Sequence, residues 1–211
     1  MVLEQPSKPR LRGVFHQYAF FVAVAAGAVL VALAPTGRAR FAALVYAITL
    51  AAMLGASALY HRVDWSARWR PIMRRLDHSA IFLLIAGTYT PFCLLVLHRE
   101  AATIVLAVVW SGAVLALGIN VVWIAAPKWT LAVVGIALGW VGVFTFTQIP
   151  VTQMSLLLVG GLFYTAGALA YAFKRPRLRP QTFGYHELFH VLVIAAAASH
   201  FVAVAFSVLP D

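Results

Sequence analysis

Of the 211 residues, 63% are hydrophobic and only 10% are charged, and the mean hydropathy is +0.91. Soluble domains carry about 25% charged residues, so a water-soluble globule is excluded and the apolar surface has to face lipid. The formal net charge of +10 does not point to nucleic acid, because the basic residues flank apolar runs and do not gather on one face.

Residues 1–15 are polar and hold Lys8, Arg10 and Arg12. They are expected to form a disordered cytoplasmic N-terminus ahead of a seven-helix membrane domain over 16–211. Seven apolar runs follow, at 16–35, 41–61, 76–97, 102–125, 129–148, 154–173 and 186–208. Each can cross about 30 Å of hydrocarbon as a helix, the one open-ended structure that satisfies its own backbone there. The first run is too long for a typical signal-peptide core, so a retained first helix is expected. The fold class is therefore an all-α, seven-transmembrane bundle. Of the 16 basic residues, 13 fall in the N-terminus and the second, fourth and sixth loops. Arg38, Arg40 and Arg99 are the remainder. This asymmetry predicts a cytoplasmic N-terminus and an external C-terminus in the inner (plasma) membrane. The single cysteine, Cys93, lies inside an apolar run, so the chain has no internal disulfide framework.

Ionisable residues within spans are costly and mark candidate sites. His61 ends the second span, Asp77 begins the third, and His186 begins the seventh with His190 one turn deeper. Ser57 lies one turn from His61 on the same helix face. Chain order brings these five groups to one depth near the inner boundary. His186 and His190, four residues apart, share a helix face at a rise of about 6 Å and suit one metal ion. With His61 they form a three-histidine set that leaves a fourth position for water, the pattern of catalytic zinc. Zinc there would lower the pKa of that water to about 7. Asp77 could orient the water or take its proton, and Ser57 could bind the His61 ring or a substrate carbonyl. His16 and His98 read as solvated interfacial histidines, His78 as structural, and His200 as a hydrogen-bonded packing residue or second polar site.

The run His186-Glu187-Leu188-Phe189-His190 also matches H-E-x-x-H, the zinc-protease signature. A peptidase needs a further ligand well downstream, and the only acid there is the terminal Asp211. Glu187 remains a possible base, although it points about 100° from either histidine. Pro91 should kink the third helix and free the carbonyl of Gly87. Gly135 and Gly139 form GxxxG and predict close helix packing, within the bundle in preference to a dimer. Trp129 beside Lys128 fits an interfacial anchor.

The stretches Ser57-Ala58-Leu59-Tyr60-His61, Leu76-Asp77-His78-Ser79-Ala80-Ile81 running to Ala86-Gly87-Thr88-Tyr89-Thr90-Pro91, and His186-Glu187-Leu188-Phe189-His190 with His200 resemble the hemolysin III family. That family is the bacterial branch of the progestin and adipoQ (adiponectin) receptors. The resemblance spans all seven helices and implies a seven-helix protein with its N-terminus inside. It also implies Zn2+ near the cytoplasmic face on His61, His186 and His190, with Asp77 a water-linked acid and Ser57 beside the site. Alkaline ceramidases in the wider superfamily imply hydrolysis of a lipid amide, the family name implies cytolysis, and bacterial members are linked to membrane lipid or energy homeostasis. Three functions follow: a zinc-dependent lipid-amide hydrolase, a receptor or membrane-state sensor in which zinc pins helices together, and a cytolysin. A bis-histidine haem protein using His61 with His190 or His200 stays open. The implied partner is membrane lipid.

Overall fold

The computed structural model describes residues 9–122, 128–176, 178–179 and 181–209. Seven α-helices run in chain order: α1 Val14–Leu33, α2 Gly37–Arg62, α3 Arg70–Leu95, α4 Arg99–Val122, α5 Lys128–Gly139, α6 Val151–Phe173 and α7 Tyr185–Val208. No strand occurs among the described residues beyond one isolated bridge between Arg179 and Phe183. Among the described residues, six helices are long and apolar enough to cross a membrane. Tyr18, Phe21, Leu115, Val151 and Phe206 are exposed on the outside of the bundle, as lipid-facing side chains would be. The protein is an all-α, multi-pass membrane bundle.

The fifth crossing differs from the uniform helix expected over 129–148. Twelve residues of α5 are followed by a 3₁₀ segment, Val141–Gln148. At about 1.5 and 2.0 Å per residue the two pieces together reach about 34 Å, still enough for the hydrocarbon. The junction leaves backbone groups that water cannot satisfy within a bilayer. Tyr89 on α3 meets two of them: its hydroxyl donates to the Gly139 carbonyl (2.6 Å) and accepts the Gly142 N–H (2.9 Å).

α3 is the axis of the bundle. Of its most apolar stretch 61% is buried, against 22% for α1 and 11% for α6. One face packs with α1, α2 and α7 around Tyr46, Leu50, Leu84, Phe92, Val193 and Val204. The other packs on α4 through Phe82, Ala86, Val105, Val109 and Ala113. Small residues permit this approach. A Cβ at Gly87 would overlap the Thr49 side chain of α2, and one at Gly160 on α6 would overlap the His200 ring of α7. Thr88 and Thr90 return their hydroxyls to the Leu84 and Ala86 carbonyls. α3 continues through buried Pro91 to Leu95.

The GxxxG expectation fails. A Cβ at Gly135 or Gly139 would meet no atom within 4 Å. Both glycines border a cavity of about 190 Å³ that runs between α3, α5, α6 and α7. Trp129 is exposed, as an interfacial anchor would be.

Candidate metal centre

The end of the bundle where α1, α3 and α7 begin and α2 and α6 end carries the basic loops and gathers the polar groups. α2 stops just past His61: the Val63 N–H and the Trp65 indole both donate to the Leu59 carbonyl, at 3.3 and 3.0 Å. α3 starts with Pro71 in its first turn, where no intrahelical N–H is needed, and presents Asp77 on its buried side. α7 starts after Gly184, whose N–H donates to Glu187 Oε2 (2.8 Å). This cap sets His186 and His190 on the first two turns of α7.

The five expected residues converge. His61, His186 and His190 are buried, and their ligand atoms all lie within 4.8 Å of one another. His61 Nε2 and His186 Nε2 are 3.1 Å apart. Asp77 Oδ2 lies 3.5 Å from His61 Nε2, and Ser57 is within hydrogen-bonding reach of the same carboxylate. Tyr171 closes one side, its ring 5.5 Å from that of His186. Three convergent imidazoles from two helices suit Zn, Cu, Fe or Ni. His190 Nδ1 has no hydrogen-bond partner among the described residues, which further fits a group arranged for a ligand. The set is able to hold a metal ion.

Two expectations about neighbouring residues change. Glu187 is not placed as a base: it is fully buried, with one oxygen capping α7 and the other accepting from Arg12 Nε at 2.5 Å. His16 is not solvated. It is 1% exposed, and its ring stacks on that of His190 at 3.9 Å between centroids and 8° between planes. A helix-spaced buried stripe of His16, Ala23, Gly27 and Leu30 carried this signal. The segment before it is held in place as well: Arg10 N–H donates to the Gln181 carbonyl, and Gly13 takes φ 78° against α2. Residues 9–15, part of the stretch expected to be disordered, thus pack against the bundle. His98 is exposed and His78 half-buried. His200 bonds through Nε2 to the Leu157 carbonyl (3.1 Å), in keeping with a hydrogen-bonded packing residue.

Comparison with known proteins gives the family. The family model described as Haemolysin-III related matches residues 4–201. The chain belongs to the haemolysin-III related family. "Hemolysin-3" of Bacillus cereus is 29% identical over 179 residues, covering 83% of this chain and 78% of that one. "Hemolysin-3 homolog" of Bacillus subtilis (strain 168) is 26% identical over 166 residues, covering 77% and 75%. "Adiponectin receptor protein" of Drosophila melanogaster is 30% identical over 174 residues, 70% of this chain and 38% of that protein. All of the clustered residues, from Ser57 to His190, fall within the haemolysin-III match.

Proposed function

We propose that this haemolysin-III protein is a zinc-dependent hydrolase of a lipid amide, acting at the cytoplasmic face of the inner membrane. The observation that carries the reading is the junction of a buried three-histidine set and a carboxylate with a largely apolar cavity. His16, Ser57, His61, Asp77, His186 and His190 border one end of that cavity, and Leu97, Trp140 and Ile149 border it farther along. In this reading His61, His186 and His190 hold zinc. When bound, the ion supplies an activated water and polarises a carbonyl. Asp77 takes a proton and returns it to the leaving amine, oriented by Ser57 and the His61 ring. The cavity wall receives an acyl chain and keeps bulk water away. The substrate enters from the membrane, which makes membrane lipid the natural partner.

A second reading rests on a specific feature. The three ligands tie α2 to α7, so zinc could serve as a pin in a non-catalytic receptor or membrane-homeostasis sensor. The two readings diverge at Asp77. Purified wild type should contain near-stoichiometric zinc by elemental analysis, and His186→Ala should contain none. Asp77→Asn should keep its zinc and lose at least about 100-fold in ceramide hydrolysis. Unchanged hydrolysis in Asp77→Asn, or no hydrolysis by a zinc-loaded wild type, favours the sensor. Absence of metal in the wild type removes both readings. Because the Bacillus cereus relative is named Hemolysin-3, red-cell lysis belongs in the same assay series.

A further inference from the structure

α1 is an apolar helix whose buried residues are His16, Ala23, Gly27 and Leu30. His16 is the one imidazole among them, and neither of its ring nitrogens makes a well-formed hydrogen bond among the described residues, the ring making only a loose approach to the His190 backbone. Buried polar atoms are nearly always paired, so a buried imidazole without a well-formed hydrogen bond stands out. Stacking on His190 does not explain the choice, since a phenyl ring stacks without polar atoms. His16 also borders the cavity, beside the three-histidine set. Its position is rigidly fixed. Gly13, three residues before it, abuts His61 so closely that a Cβ there would lie 2.6 Å from the His61 Cβ. Arg12 is paired with Glu187 on α7. Gln17 accepts from Arg62 Nε at 3.0 Å. The first turn of α1 is thus clamped to both helices that supply the histidines.

We propose that His16 is a ligand-binding residue of this centre: its ring N–H holds the oxygen or small anion that enters the position left open by His61, His186 and His190. The proposal rests on the metal reading above and adds a fourth helix-borne imidazole that touches the exogenous ligand, not the ion. It accounts for a buried imidazole in an otherwise apolar face, for the lack of a well-formed hydrogen bond to its ring, and for the clamp that holds it.

The test uses the full chain in detergent, loaded with cobalt(II), whose visible spectrum reports a ligand at the open position where zinc is silent. Azide is the probe. Wild type, His16→Phe and His16→Asn should each take up an equivalent of cobalt by elemental analysis. His16→Phe should bind azide about tenfold or more weakly, the loss of one hydrogen bond to a charged group. His16→Asn, which keeps an N–H, should recover much of that affinity. Equal azide affinity in His16→Phe and wild type overturns the proposal and leaves His16 as packing. A folded His16→Phe without cobalt also overturns it, making His16 part of the metal's own support. If His16→Phe does not fold, His16→Leu against His16→Asn decides on the same criterion. A wild type that takes up no cobalt overturns the metal reading itself.

Discussion

Gly13 shows how much of the centre depends on one missing side chain. Its φ of 78° lies in the left-handed region, and a Cβ there would lie 2.6 Å from the His61 Cβ. Gly13→Ala would meet about 1–2 kcal/mol of backbone strain and push the His61 ring off its position. We expect a lower melting temperature and, if the proposed zinc is bound, at least about tenfold weaker retention of it in a chelator competition, because a displaced ligand loses coordination geometry. Unaltered retention would mean that the α1 turn yields before His61 does. The neighbouring Arg12–Glu187 pair explains why H-E-x-x-H here differs from the protease motif. Both carboxylate oxygens are engaged away from the histidines. The spacing of His186 and His190 showed which residues could converge, whereas the direction of Glu187 depended on an arginine 175 positions away. His16 escaped for a related reason. A single histidine near a helix start looks solvated until its neighbours three, four and seven residues on are seen to be buried or half-buried.

Helix existence and order were legible in hydropathy, since each of the seven apolar runs became a crossing. Their interior geometry was not. Nothing in the composition of 141–148 distinguishes a 3₁₀ segment from an α-helix, and the break is supported from outside by Tyr89. Glycine spacing was similarly silent about what stands opposite. Gly135 and Gly139 face open space, while Gly87, with no GxxxG partner in sequence, takes the closest contact with α2. This gives a pair of substitutions with opposite signs. Gly135→Ala should stabilise by about 0.5–1 kcal/mol, because alanine is the better helix former and nothing blocks its methyl. Gly87→Ala should destabilise by about 1–3 kcal/mol through overpacking against Thr49. Thermal unfolding of both variants in one detergent checks the contrast, and a destabilised Gly135→Ala would restore the packing role for GxxxG.

Across the whole molecule, the polar cluster and the basic loops share one end of the bundle. That end was legible because seven crossings alternate direction, so His61, Asp77 and His186 had to fall together. The same charge bias makes a topological prediction: 13 of 16 basic residues on one side should place the N-terminus in the cytoplasm and the C-terminus outside. Reporter fusions active only in one compartment, placed at each terminus, check it. Both termini reporting from the same compartment would contradict seven crossings.

The division of the histidines between α2 and α7 also sets a schedule for biosynthesis. The ribosome delivers His61 early and holds back the other two until the last crossing has emerged. A nascent bundle of six helices therefore presents a single imidazole of the three, too few to capture an ion firmly. If the centre holds the proposed ion, firm capture waits until α7 supplies His186 and His190. Loading would then double as a checkpoint on chain completion, since a product cut short before residue 185 lacks two of the three histidines.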